Sequence, residues 1–320
     1  MTLAILLVLY SLAVAVLAPP VLDRITRGGT APRLAITAWA GATSGVLLAW
    51  VLAAALIGRS VLLTDRDMHD VLIDCFDTIG RMAVGSHGPV LQMALLVLAT
   101  LSVAAVAMLI GRLAMALGRA RKSTHQHCRT ARLVADRRPG PGGSVVLDTA
   151  ERAVYCIAGR PPTIVITRGA LEALDDAQLA AVLAHERAHL SGRHHLLIAT
   201  SRAVATVLPH LRVFPAAAAA IGRLIEMRAD DVAVRRHPGS TLVSALLTLS
   251  GVEPMPDAAL AASSVGLVDR VERLLTPPGP RLTAPVHVAL GASAIVSLVG
   301  PVAAAGLVTL LPHLCPFPLF

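Results

Sequence analysis

Four long blocks without Asp, Glu, Lys or Arg organise the chain. Met1 to Leu22 is the first, and Leu34 to Gly58, bounded by Arg33 and Arg59, is the second. Met82 to Gly111 is the third. The fourth follows Arg281 and has its core from about Val286 to Leu311. About twenty apolar residues suffice to cross a bilayer as a helix. The pattern therefore predicts four spans, at about 1–22, 34–58, 88–111 and within 282–320, the last with a short C-terminal tail. The first block has no basic residues ahead of it, so it reads as an anchor rather than a cleaved signal peptide.

Between the third and fourth blocks, from 112 to 281, the pattern changes to mixed elements. A basic helix continues from Arg112 to about Asp136, and Arg138-Pro139-Gly140-Pro141-Gly142-Gly143 ends it. Two short β-prone runs follow, Ser144–Asp148 and Ala153–Ala158, with Thr149–Arg152 between them as a hairpin link. After a turn at Gly159-Arg160-Pro161-Pro162, Thr163–Thr167 forms a third strand. The expectation is a small antiparallel sheet whose outer edge either accepts an extended peptide or merely covers the next helix. That helix starts at the N-cap Asp175, with Gln178 completing a capping box. It runs through Leu179, Val182, Leu183 and Glu186 to about Leu190, and Gly192 is its stop. A second helix is expected from Ile221 to Arg236. The apolar stretch 194–220 is interrupted by Arg202, Pro209, Arg212 and Pro215, in pieces too short to span. It is expected to lie on the membrane or pack against the spans, a re-entrant pair being the other arrangement.

Composition excludes a water-soluble globule: 55% of the 320 residues are hydrophobic, 15% are charged, and the mean hydropathy is +0.69. The net charge of +8 gives the orientation. Arg24, Arg27 and Arg33 lie in the first loop, and Arg112, Arg119, Arg121, Lys122, Arg129, Arg132, Arg137 and Arg138 follow the third span. The second loop is acidic, with Asp65, Asp67, Asp70, Asp74 and Asp77. By the positive-inside bias, loops one and three and the 112–281 domain are cytoplasmic, and both termini are outside. The basic run adjoins a span and lacks interleaved aromatics, which points to anionic lipid and away from direct nucleic-acid binding. Cys75, Cys128, Cys156 and Cys315 form no C-x-x-C pattern. Cys75 and Cys315 fall outside, where they could pair; Cys128 and Cys156 are expected as free thiols.

The chemistry is carried by His185-Glu186-Arg187-Ala188-His189 on the first domain helix. Two imidazoles one turn apart can share a metal, and the intervening carboxylate can take a proton from water beside it. A zinc peptidase site needs a third protein ligand and an open position. On the second helix Glu226 and Asp230 are i, i+4 and share a face, with Ala229 and Ala233 permitting close approach. Glu226 as third ligand and Asp230 as the acceptor orienting a ligand histidine is one coherent reading. The other leaves Glu226 an exposed charge beside Arg223 and Arg228. Asp231 points elsewhere on the helix. His194, His195, His210 and His237 remain without a role.

With Ile164-Val165-Ile166-Thr167-Arg168-Gly169-Ala170-Leu171, Leu183-Ala184-His185-Glu186-Arg187-Ala188-His189-Leu190 and Glu226…Ala229-Asp230, the chain resembles the BlaR/MecR-type antirepressor membrane metalloproteases. More distantly it resembles the HtpX and Ste24 zinc peptidases. The likeness covers about residues 1–275 and is most specific over 160–235. It implies a gluzincin-like domain, zinc (Zn2+) on His185, His189 and Glu226, and Glu186 as general base. Two departures stand out. Arg187 puts a charge inside the motif. The only lysine, Lys122, has no serine three residues before it, so the Ser-x-x-Lys acylation site of a penicillin-binding sensor domain is lacking. A separate membrane sensor partner is one way to supply the trigger.

These readings combine into a multi-pass α-helical membrane protein with an α+β zinc metallopeptidase domain at 112–281. The expected activity is cleavage of a cytoplasmic protein, a transcriptional repressor foremost. The alternatives are an HtpX-like quality-control protease and a non-catalytic membrane scaffold.

Overall fold

The computed structural model describes residues 2–62, 89–134, 139–159, 161–251, 265–276 and 280–314. The acidic second loop, Cys75 and Cys315 lie outside the described residues. Helices α1 (Thr2–Thr26), α2 (Pro32–Leu62) and α3 (Pro89–Val134) cover the N-terminal part. Among the described residues three stretches are long and apolar enough to cross a membrane: Leu3–Thr26, Pro32–Leu56 and Thr100–Leu133. At 1.5 Å per residue the 46 residues of α3 extend about 69 Å, over twice the thickness of the hydrocarbon layer. The apolar stretch expected as the third span and the basic helix after it are thus one rod. Near the C-terminus, α10 (Pro280–Leu314) is one 35-residue helix, whose apolar part is described over the shorter stretch Ala284–Ser297.

The domain begins with a short 3-10 turn at Pro141–Gly143, then β1 (Val145–Leu147), β2 (Val154–Ile157) and β3 (Thr163–Thr167). The sheet is mixed, in the order β1-β3-β2, which corrects the antiparallel sheet expected from the pattern. β1 runs parallel to β3, with Val145 opposite Val165. β2 runs antiparallel to β3, with Val154 opposite Ile166. All five residues of β3 are buried, so this strand takes the centre, where both faces are covered. The hairpin therefore joins β2 to β3, and 148–153 wraps around the end of β3 instead. Thr167 fastens that link: its hydroxyl donates to Glu151 O and accepts from Ala153 N, and Gly169 N donates to Thr149 O.

After α4 (Arg168–Ala173) come α5 (Asp176–Ser191), α6 (His194–Val207), α7 (Val213–Ala233), α8 (Gly239–Ser250) and α9 (Val265–Leu275). α7 starts eight residues before the expected Ile221 and ends at Ala233, not Arg236. Pro215 does not interrupt it because it is the third residue of the helix, where a backbone N–H has no intrahelical partner to lose. The apolar stretch 194–220 thus becomes α6 and the first two turns of α7.

This placement decides how the domain is held. Phe214 packs against Val46 and Ala15. Ala217, Ala220, Ile221, Leu224 and Ile225 join Leu22, Ala38, Trp39 and Leu290 in one buried cluster. Small alanines let α7 approach α2 closely. The indole N–H of buried Trp39 donates to Thr26 Oγ1 at 3.2 Å. The N-terminal half of α7 is therefore built into α1, α2 and α10, while its C-terminal half packs on α5 through Ala181 and Ala233.

Candidate metal centre

α5 carries the motif and is started by its cap. Gln178 N donates to Asp175 Oδ1 at 2.8 Å, and Asp175 N donates to Gln178 Oε1 at 3.1 Å. Each satisfies a backbone N–H that the first turn leaves without a partner. Ala181, Val182, Leu183 and Ala188 are buried around the motif, so its polar groups are held by the core and not by solvent. Arg187 is exposed and lies over Gly142, whose φ of +66° and missing side chain leave room for the guanidinium. The charge inside the motif points away from the site.

His185 and His189 face one another one turn apart, with Nε2 to Nε2 at 3.0 Å. Glu226 comes in from α7: Oε2 is 3.4 Å from His185 Nε2, and Oε1 is 3.6 Å from His189 Nε2. One donor atom from each of the three falls within 4.8 Å of the others. Zinc bonds of about 2.0–2.1 Å in a tetrahedron set ligand atoms roughly 3.3 Å apart, so this donor set fits a zinc ion and leaves a corner open. Glu226 therefore faces the histidines and not Arg223, which reaches toward Asp23 at 3.6 Å.

Asp230, one turn on from Glu226, is fully buried, and its Oδ1 lies 3.0 Å from His185 Nδ1, somewhat off the ring N–H axis. Arg270 of α9 binds it with two hydrogen bonds, Nε to Oδ2 at 2.8 Å and Nη2 to Oδ1 at 2.7 Å, and comes within 3.4 Å of Glu226 Oε2. Asp231 turns away and pairs with Arg273, whose Nε also donates to Gly29 O in the loop between α1 and α2. The structure thus brings all five expected residues together, His185, Glu186, His189, Glu226 and Asp230.

Two neighbours were not foreseen. Arg270 is 40 residues beyond Asp230, so no local spacing relates the two. His194, one of four histidines to which the sequence gives no role, is buried, with Nδ1 3.1 Å from His189 Nδ1. The only local signal was its place just after the helix stop at Gly192. His195 lines the cleft beside the motif, whereas His210 and His237 do not.

The electrostatics follow from burial and pairing. Burial pushes the Glu186 carboxyl up, only partly offset by His185 and His189. For Glu226 burial acts upward too, but hydrogen bonds from His185 and His189 and the charge of Arg270 hold it well below the usual carboxylate range. Burial lowers His194 to about 4, helped by His189, and so keeps it neutral. His185 goes the other way: burial acts downward, but Asp230 and Glu226 prevail and raise it to about 9. In the metal-free protein that ion pair adds stability that is complete below the ordinary pKa of 6.5 and lost as pH rises through about 9. It also follows that metal must displace a proton at neutral pH. Zinc titrations at pH 7 in buffers of different ionisation enthalpy should show about one proton released from His185. Apparent affinity should rise about tenfold per pH unit up to roughly pH 9. A pH-independent affinity over that range would contradict the pairing.

The site opens into a cleft of about 280 Å³, walled by Tyr155, Cys156 and Ala158 on one side and Leu190, His195 and Ile198 on the other. Cys156 and Cys128 are free thiols. Burial, and then the nearby Glu186, push the Cys156 thiol up, so it serves as a neutral wall. The cleft follows β2, an edge strand of the sheet.

Residues 135–278 match the model of Peptidase family M48. This is 144 of 320 residues, somewhat under half of the chain, and the matched stretch contains the motif, Glu226, Asp230 and Arg270. No curated protein and no solved structure matches the chain. The family similarity supports a metallopeptidase; the narrower BlaR/MecR and HtpX likenesses are carried by the motifs alone.

Proposed function

We propose that the chain is a membrane-tethered, zinc-dependent endopeptidase that cuts a cytoplasmic protein, with a transcriptional repressor as the first substrate class to test. The observation that carries this reading is the convergence of His185, His189 and Glu226 on one point, with buried Glu186 lining the same cleft. The cytoplasmic side is supported by the loop of Arg24, Arg27 and Arg33. Its Gly29 is held by Arg273 next to the site, so the basic loop and the catalytic groups share one end of the molecule.

Zinc bound there would polarise a scissile carbonyl and lower the pKa of an attacking water. Everything else is supplied by this chain. His185 and His189 offer Nε2, and Glu226 offers its carboxylate in the anionic form that its neighbours enforce. Asp230 holds His185 from behind, and Arg270 keeps Asp230 in place. Glu186, raised by burial, is suited to take the proton of the attacking water and pass it to the leaving amine, because a base works best when its pKa lies near the operating pH. A substrate drawn out as a strand can pair with the open edge of β2, which sets its carbonyls along the cleft.

The test is a comparison of protein N-termini, by mass spectrometry, between cells carrying the parent protein and Glu186→Gln. The proposal expects one or a few new N-termini in cytoplasmic proteins, present only with the parent. Fragments drawn broadly from membrane proteins would support quality control instead. Identical sets would refute an endopeptidase.

A further inference from the structure

The two ligand histidines are backed differently. His185 has Asp230 behind its Nδ1, an arrangement with a carboxylate that is common for metal-binding imidazoles. Among the described residues no carboxylate stands behind His189; its Nδ1 faces the Nδ1 of His194 at 3.1 Å, with the rings at 89° and their centroids 5.0 Å apart. We propose that His194 is the positioning residue for His189: it accepts the Nδ1–H of His189 and so fixes the ring that presents Nε2 to zinc. This rests on the zinc-site reading above.

The tautomers follow without choice. If His189 Nε2 is the metal ligand, the proton of the neutral ring is on Nδ1, so that nitrogen must donate. His194 Nδ1 must then be the bare acceptor, with its own proton on Nε2. Asp230 and His194 thus act on the two ligand rings from opposite sides, one as an anion and the other as a neutral group.

The chain is also built to bring His194 there. A helix continued past Ser191 would have carried residue 194 about 140° around the axis from His189. Instead Gly192 closes α5, and Arg193 takes a left-handed conformation at φ +49° and ψ +36°, the only non-glycine residue with positive φ among those described. Such a backbone costs energy in an ordinary residue. Here it turns the chain so that the first residue of α6 folds back on the previous helix. Gly192 itself has ordinary helical angles, so its lack of a side chain serves another purpose. A Cβ at 192 would stand 2.4 Å from His194 Nε2 and 2.7 Å from its Cδ2. The imidazole occupies the space that any other residue at 192 would fill. Gly192, Arg193 and the buried His194 therefore form one unit whose product is the contact with His189.

The experiment measures zinc affinity, by competition with a chromophoric chelator, for the full-length protein in detergent. His194→Leu keeps an apolar side chain of similar bulk but cannot accept a hydrogen bond. His194→Asn puts an amide oxygen close to the place of Nδ1. Gly192→Ala leaves His194 present but displaced. Loss of an outer hydrogen-bond partner costs about 10–100-fold in metal affinity. That weakening is expected for His194→Leu and Gly192→Ala, and His194→Asn should recover most of it. Thermal unfolding of the metal-free forms separates folding from binding. Should the leucine variant not fold, the contrast between His194→Asn and Gly192→Ala carries the test. Parent-like zinc affinity in His194→Leu, or equal losses in His194→Leu and His194→Asn at equal stability, would overturn the assignment. A parent protein that binds no zinc would refute the zinc site itself, and this inference with it.

Discussion

Replacing Glu186 by Gln is expected to leave zinc binding intact and to cut peptide cleavage by about 10²–10⁴-fold, the usual contribution of a general base. The separation of the two effects is what makes the variant informative. Glu186 is not one of the three groups that converge on the metal position, so its loss removes no ligand. Gln has nearly the same shape and can still meet the Cys156 thiol across the cleft, but its amide cannot hold the proton of an attacking water. Stability should not fall. The carboxyl is buried and pushed up by that burial, so a neutral amide avoids a desolvation cost that the anion bears. Steady-state cleavage of a casein-type or peptide library, together with zinc content and melting temperature, reads all three. Cleavage at the parent rate would refute Glu186 as the base.

Asp230→Ala should have the largest effect on the fold. The carboxylate is fully buried, receives two hydrogen bonds from Arg270 and faces His185. Its removal leaves the guanidinium, itself largely buried, with Glu226 at 3.4 Å as its one remaining ion-pair partner among the described residues. Breaking a buried pair by taking away one partner costs about 3–5 kcal/mol. The freed Arg270 would also pull on Glu226, a proposed ligand, and His185 would lose its support, so zinc affinity should drop by about 10–100-fold as well. Replacing both partners, Asp230→Asn with Arg270→Gln, should restore part of the stability because no charge is then left alone. Thermal unfolding of the detergent-solubilised variants checks this. A loss under about 1 kcal/mol, the value of an exposed pair, would contradict the buried role.

How much of this was legible in the sequence depends on the range over which each feature is encoded. The motif helix and its cap are local: Asp175, Gln178 and the spacing of His185 and His189 specify them within four residues. Glu226 and Asp230 share a face by the same spacing, and the structure brings that face to the motif. What failed was long-range. The order of the strands depends on which one is covered on both faces, and the five apolar or threonine positions of β3 do not by themselves mark it as the central strand. In the sequence Pro215 reads as an interruption, because only the helix start at Val213 makes it the third residue of the helix. Arg270 meets Asp230 only through the packing of α9 on α7, a tertiary event that no local spacing signals. His194 is reached by a left-handed turn at an arginine, a conformation that the residue type argues against. For 194–220 the pattern offers packing against the spans as one arrangement, and Ala217 and Ala220 of α7 do lie in the buried cluster with α1, α2 and α10; which helices they meet is the part that no local spacing signals.

The central claim is that His185, His189 and Glu226 hold one zinc ion. The most direct measurement is elemental analysis of the purified, detergent-solubilised protein before and after chelation, alongside His189→Ala and Glu226→Ala. About one zinc per chain is expected for the parent, lost to a strong chelator and restored on adding zinc back, with little retained by either variant. A folded parent that neither contains nor takes up zinc, or variants that hold it as firmly as the parent, would contradict the claim.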